Sequence, residues 1–314
     1  MNLVTVTYFA DLRNMLVQAE SINRFALGVT HWVVICSTSN NMARWRRLLE
    51  PYYQGSNRLK LIRAPSELMT AKSGYMNQQL LKLWIAGSIQ DDYLILDAKN
   101  FFIQPTDSSV YENYIATNGW GYDISDEIFP GTIYKTCAIE SSRYLGNTTT
   151  RFVIPGIGTP YKISWKNMQK LIEKFQSIDL AMLWVKSVIE KGKRFQPGRA
   201  DVFSEFVFYA QLMDDDEVDI LKNTVLERID TNRTVWDQGT FINYLAHDRL
   251  SLKKKRPVTA LLECFTKKQV HTVAFHRRWF YDHPEYLPDI NKWLSEQGIN
   301  TKLKIGRSYN APWV

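Results

Sequence analysis

The sequence predicts an α/β protein: a mixed, mainly parallel twisted sheet flanked by helices. Three observations carry this reading. Short apolar stretches and helix-patterned stretches alternate from residue 3 to about residue 100, the order that builds a parallel sheet through crossover helices. The clearest apolar stretch, Tyr93-Leu94-Ile95-Leu96, ends in an acid, Asp97. And 314 residues at 45% hydrophobic content suffice to bury a substantial core.

The elements follow in order. Leu3 to Phe9 is rich in Val and Thr and reads as a strand, after which Asp11 stands where a helix Leu12 to Phe25 begins. His31 to Ser37 is a short apolar run, read as a buried strand, and a helix spans Ala43 to Leu49. Arg58 to Arg63 alternates as a third strand and stops before Pro65. Tyr75 to Ala86 is helical, with Met76, Leu80, Leu83 and Trp84 at helical spacing. The fourth strand then rises to Asp97, and Ala98-Lys99-Asn100 leads into Phe101-Phe102-Ile103. Beyond Pro105, Gly and Pro punctuation at 119–121, 130–131 and 155–160 reads as loops and hairpins. Helices are expected at Trp165 to Phe175, Leu180 to Lys191, Glu205 to Met213 and Trp236 to His247, and strands at Val258 to Cys264 and Val270 to His276.

Composition excludes several classes. Cys36, Cys137 and Cys264 are odd in number and far apart, so neither a disulfide framework nor a clustered metal site is expected, and a reducing cytoplasm fits. The first residues read as a strand and not a signal peptide. No stretch approaches the ~18 consecutive apolar residues of a membrane span, so a soluble protein is expected. The charge of +7 implies attraction to polyanions: a diphosphate, a nucleic acid or an anionic surface. Lys253-Lys254-Lys255-Arg256 is the densest basic run, read first as a solvated loop. An aromatic load of 10 Trp, 16 Tyr and 15 Phe exceeds a minimal core, and such rings line clefts where bases and sugars stack. P-loop, Gly-x-Gly-x-x-Gly and Gly-x-Ser-x-Gly patterns are missing.

An acid that ends an apolar strand is held by the sheet yet reachable from the exit loop, so it can hold a cation, bond a sugar hydroxyl or simply cap a turn. In open parallel sheets ligands bind outside the carboxyl ends of the strands, which is where Asp97 falls.

Two segments, Gly74-Tyr75-Met76-Asn77-Gln78-Gln79-Leu80-Leu81-Lys82-Leu83 and Tyr93-Leu94-Ile95-Leu96-Asp97-Ala98-Lys99-Asn100, resemble the donor-site core of GT-A glycosyltransferases, a Rossmann-like fold. The likeness is nearest to DUF6492-type glycosyltransferases and more distant to glycogenin-like enzymes. It implies that Lys82 contacts a nucleotide-sugar donor and that Asp97 is the first acid of Asp-x-Asp. The second acid is absent, and Lys99 stands in its place. A lysine there could supply positive charge beside the diphosphate in place of Mg²⁺ or Mn²⁺. Alternatively Asp97 and Asn100 hold a metal through a shifted loop, or Lys99 points to solvent.

The same resemblance extends to islands further along. Phe203-Ser204-Glu205-Phe206-Val207-Phe208-Tyr209 places Glu205 on the acceptor side, as base or as acceptor ligand, against the plainer reading of a first-turn glutamate. His276, followed by Arg277 and Arg278, falls where the family often places a histidine that reaches the metal or diphosphate, so Asp97 and His276 are the candidate metal ligands. Asp237 opens an Asp-Gln-Gly segment similar to one that glycogenin-like enzymes hold near the reacting carbon, which makes it an acceptor-side candidate against the plainer reading of a helix cap. Thr159, Tyr161 and Trp165 form a candidate acceptor wall, and Tyr8 and Asp11 follow the first strand where the fold commonly holds the nucleotide base.

The expectation is therefore one GT-A-like domain, with residues 1–105 as the donor half and residues 106–314 as the acceptor half completing the cleft. It would transfer a sugar, from a UDP-sugar in the commonest case, to a hydroxyl of a glycan or of a hydroxymethylated base in phage-type DNA. The competing reading is a non-catalytic nucleic-acid-binding protein on a degenerate glycosyltransferase fold.

Overall fold

The computed structural model describes residues 1–36, 42–70, 74–109, 122–123, 131–154, 159–191, 203–223, 262, 272–275 and 284–304. In chain order the elements are β1 (Asn2–Thr7), α1 (Leu12–Phe25), β2 (Thr30–Ile35), α2 (Met42–Leu49), β3 (Arg58–Arg63), α3 (Gly74–Trp84), α4 (Ala86–Ile89), β4 (Tyr93–Leu96), β5 (Asn100–Phe102) and β6 (Tyr122–Asp123). They continue with α5 (Gly131–Leu145), β7 (Val153–Ile154), β8 (Tyr161–Ile163), α6 (Trp165–Phe175), α7 (Ile178–Lys191), α8 (Glu205–Ala210), α9 (Asp215–Asn223), β9 (Thr272–Ala274) and α10 (Leu287–Glu296).

Five strands form the main sheet in the order β3-β2-β1-β4-β8. The first four are parallel and β8 runs antiparallel on β4. This is the mixed, mainly parallel arrangement expected from the alternation of strands and helices. Small antiparallel pairs, β5 with β9 and β6 with β7, stand beside it.

Both faces of the sheet are covered, which explains why its central strands are nearly continuous apolar runs. On one face Val4, Val6, Trp32, Val34, Tyr93 and Ile95 pack in a core shared with Leu80 and Leu83 of α3 and Met182 and Val185 of α7. On the other, Leu3, Leu94 and Leu96 meet Ile22 of α1, while Val33 and Ile35 meet Met15 and Ala19 of α1 and Trp45 of α2. Each such aliphatic side chain contributes roughly 1.5–3 kcal/mol on burial.

The turn between α1 and β2 is held by a buried side chain. Asn57 accepts from the backbone N–H of Val29 at 3.0 Å and donates to the carbonyl of Ala26 at 3.0 Å. Replacing Asn57 by Ala strands both groups in the interior, an expected cost of about 1–3 kcal/mol read as a lowered urea midpoint at unchanged m-value.

Several expectations are corrected here. Gly131–Leu145 is a helix where Gly/Pro punctuation suggests loops, and Asp215–Asn223 and Leu287–Glu296 are further helices that the sequence reading passes over. Acids at Asp215, Asp216 and Glu217 complement the N-terminal dipole of the second, and Pro288 sits in the first turn of the third. Tyr161–Ile163, three residues long, is too short for alternation to announce it as a strand. Trp236 to His247 lies outside the described residues, as does nearly all of Val258 to Cys264. Cys36 and Cys137 are buried, while Cys264 is outside the described set. Among the described residues no helix is long and apolar enough to cross a membrane.

Candidate active site

Asp97 is the first residue past β4, which is hydrogen-bonded to β1 on one side and β8 on the other, so its position is set by a strand paired along both sides. A tight turn follows. The Asn100 N–H donates to the Asp97 carbonyl at 2.9 Å, and the Asn100 side-chain oxygen accepts from the Asp97 N–H at 2.7 Å. The other end of the Asn100 amide donates to the Thr159 carbonyl at 3.0 Å, tying the turn to the segment before β8. Gln18, from α1, donates to the carbonyls of both Asp97 and Asn100, at 2.8 and 3.0 Å. The backbone N–H of Phe275 donates to the Lys99 carbonyl at 3.1 Å, bringing the end of β9 to the same turn.

Two lysines hold the Asp97 carboxylate. Lys82, in the last turn of α3, places Nζ 3.0 Å from Oδ1, and Lys99 places Nζ 2.8 Å from Oδ2. Lys82 also lies 3.0 Å from Oε1 of Glu205, the first residue of α8. The Glu205 backbone N–H in turn donates to Gln79 on α3 at 3.1 Å. Side-chain exposure falls from 29% at Asp97 and 18% at Lys99 to 7% at Lys82 and 1% at Glu205. The cluster is thus layered: Asp97 and Lys99 face outward, Lys82 lies behind them, and Glu205 is deepest.

The electrostatics follow from that layering. Burial works against the Asp97 carboxylate, but the Lys82 and Lys99 ammoniums outweigh it and hold its pKa well below the usual carboxylate range. Burial likewise works against the Lys82 charge and is outweighed by Asp97 and Glu205, so Lys82 stays protonated. At Glu205 burial prevails over Lys82, and its pKa is raised.

The placement of the sequence candidates is mixed. Asp97, Lys82, Lys99 and Glu205 come together. Glu205, expected to face an acceptor, is instead sealed beneath Lys82, because α8 packs its first turn against α3. Thr159 and Tyr161 are close by and buried, and the Tyr161 ring packs on Phe206 at 4.7 Å between centroids. The Thr159 hydroxyl, the Tyr161 hydroxyl, Oε2 of Glu205 and Nε2 of Gln79 are buried with no hydrogen-bond partner.

Trp165 does not belong to this group. Because β8 runs antiparallel to β4, Tyr161 pairs with Ile95 near the Asp97 end while Ile163 pairs with Tyr93 at the other. Trp165 therefore starts α6 at the far edge of the sheet, where its N–H donates to Asp92 at 2.8 Å. The Tyr8 hydroxyl donates to the Gly74 carbonyl and pins the exit of β1 to the start of α3. Asp11 closes the turn after Tyr8, its N–H donating to the Tyr8 carbonyl at 2.9 Å. Asp237, His276, Arg277 and the run Lys253 to Arg256 lie outside the described residues.

Gln18 and Gln79 escape the sequence reading. One signal was available for Gln18: it lies on the buried stripe of α1 with Met15, Ala19 and Ile22, where an amide is out of place unless it has buried partners.

Of the two candidate metal ligands only Asp97 is among the described residues; His276 lies outside them. Both oxygens of Asp97 are engaged, each by a different lysine, and no group of three His, Cys, Asp or Glu is clustered among the described residues.

No family model and no curated protein matches the chain, so the DUF6492 likeness rests on the quoted motifs alone. Solved structures similar to the chain include the galactosyltransferase LgtC in complex with donor and acceptor sugar analogs, at 14% identity and TM-score 0.42, covering 97% of this chain and 98% of that one. The bifunctional glycosyltransferase WbbM, in its apo form, aligns with 96% of this chain and 51% of its own, at 11% identity and TM-score 0.45. The apo-form glycosyltransferase GlyE of Streptococcus pneumoniae TIGR4 aligns with 59% of this chain and 42% of its own, at 11% identity and TM-score 0.30. With every TM-score below 0.5, these likenesses assign no residue a role.

Proposed function

We propose that the protein is a glycosyltransferase that takes a nucleotide-sugar, a UDP-sugar in the first instance, and transfers the sugar to a hydroxyl of a glycan or of a hydroxymethylated base in DNA. The observation that carries this reading is the outward-facing pair at the carboxyl end of β4: Lys99 Nζ held 2.8 Å from Asp97 Oδ2, with Lys82 behind. An ammonium fixed beside a carboxylate can bind both parts of a sugar diphosphate. The ammonium bonds a phosphate oxygen, and the carboxylate accepts from a sugar hydroxyl.

In the reaction the acceptor oxygen bonds to the anomeric carbon as the bond from that carbon to the diphosphate oxygen breaks. The electron pair departs on the diphosphate, and the acceptor proton is released. Negative charge grows on the leaving oxygen, so a preorganised cation at that point lowers the barrier. Lys99 supplies it, Lys82 keeps Asp97 ionised and in place, and no step is routed through a metal.

Thermal shift with a panel of nucleotide-sugars tests this reading. A ligand at 100 times its dissociation constant should stabilise the native state by about 2.7 kcal/mol. Release of the nucleoside diphosphate should accompany it, unaffected by EDTA. Acceptors separate by salt: turnover on duplex DNA should fall steeply as salt rises, and turnover on a glycan should change little. If no nucleotide-sugar is bound or consumed and the protein retains duplex DNA at moderate salt, the non-catalytic nucleic-acid-binding reading stands in its place.

A further inference from the structure

The face of the sheet under α1 carries a line of polar side chains inside an otherwise apolar interface. Thr5 on β1, Gln18 on α1 and His31 on β2 are all fully buried. Leaving such groups in a core is unfavourable unless their hydrogen bonds are complete, and here they are complete in one direction only.

The directions follow from counting protons. Gln18 uses its amide N–H groups on the carbonyls of Asp97 and Asn100, so its oxygen is left as an acceptor. That oxygen accepts the Thr5 hydroxyl proton at 2.9 Å. Thr5 has no second proton, so its contact with Nε2 of His31 at 2.9 Å requires that Nε2 be the donor. A neutral ring protonated on Nε2 leaves Nδ1 as an acceptor, and the Tyr53 hydroxyl donates to it. Burial pushes His31 down to about 3, which keeps the ring neutral across the physiological range.

We infer that Gln18 is a positioning residue for Asp97, its amide oriented through Thr5 by a neutral His31 that carries its proton on Nε2. The chain of bonds runs from Tyr53 through His31, Thr5 and Gln18 to the turn from Asp97 to Asn100. It sets the orientation of the Gln18 amide, which could otherwise flip and present its oxygen to the carbonyls of Asp97 and Asn100. Its consequence for turnover rests on the proposal that this turn bears the active site, whereas the bonding pattern does not.

The experiment has parts that separate the two. Long-range proton–nitrogen NMR on the whole chain should show His31 as the Nε2–H tautomer, unchanged from pH 8 to pH 5. Hydrogen exchange at the amides of Asp97 and Asn100 should speed up about tenfold or more in Thr5→Val and His31→Leu, the effect of losing one net hydrogen bond, while β3 amides stay as they were. His31→Gln, whose side-chain N–H can donate where Nε2–H does, should restore most of the protection. Gln18→Glu, isosteric but without the two donors, should give the largest change. An Nδ1–H ring, or amides at 97 and 100 indifferent to Thr5→Val and His31→Leu, overturns the inference. A wild-type protein that consumes no nucleotide-sugar overturns the glycosyltransferase reading and leaves these measurements able to decide the rest. If sugar transfer is found, Thr5→Val should lower kcat roughly tenfold, in proportion to the loosened turn.

Discussion

Replacing Lys82 by Met should destabilise the protein by about 3–5 kcal/mol, the cost of leaving a buried charge without its partner. Lys82 and Glu205 are both buried, 3.0 Å apart, and Oε2 of Glu205 has no hydrogen-bond partner to share the load. With the ammonium gone, burial acts on Glu205 unopposed and its pKa, already raised, rises further. A carboxyl whose folded pKa exceeds its unfolded value binds more protons when folded. Lys82→Met should therefore gain stability as pH falls from 8 toward 5, the reverse of an acid-sensitive protein. Asp97 has the opposite sign: its depressed pKa contributes stability that is present above the ordinary carboxylate pKa and lost only in strong acid. Urea melts at several pH values measure both. The double variant Lys82→Met with Glu205→Gln should recover much of the loss by removing the stranded charge. A cost for Lys82→Met below about 1 kcal/mol, the scale of a surface ion pair, would mean that the cluster is open to water.

The second large effect is expected at Lys99. Lys99→Met should lower kcat by about 10²–10³, the range seen when a preorganised stabiliser of developing negative charge is removed. Stability should change by no more than about 1 kcal/mol, since the Lys99–Asp97 pair is partly exposed. With Lys99 supplying the positive charge at the diphosphate, EDTA should leave wild-type turnover unchanged. A Lys99→Met enzyme with normal kcat, or wild-type activity that disappears with chelator and returns with Mn²⁺, removes the lysine from its proposed role.

Much of residues 1–105 was legible in the sequence because its signals are local. Alternation of apolar runs and helical spacing places β1, α1, β2, β3, α3 and β4 within a few residues, with Leu12–Phe25 and Arg58–Arg63 matched to the residue. Asp97 follows from its place at the end of a run of four buried residues. Beyond residue 105 the reading weakens. The helix Gly131–Leu145 opens at a glycine and carries Thr, Ser and β-branched residues, and β8 owes its existence to the open edge of β4.

The sequence by itself determined the class of fold and the acid at the end of the fourth strand, because backbone period and residue type are properties of neighbours along the chain; Lys82 and Lys99 were marked by the family resemblance of their segments. Only the tertiary structure decided what those charges do to one another: that both lysines hold Asp97, that Glu205 lies sealed under Lys82, that Trp165 sits at the wrong end of β4 and that Gln18 grips the turn. Charge and hydrogen-bond interactions depend on distance and burial, and residues 82, 97 and 205 acquire both only when α3, β4 and α8 pack together.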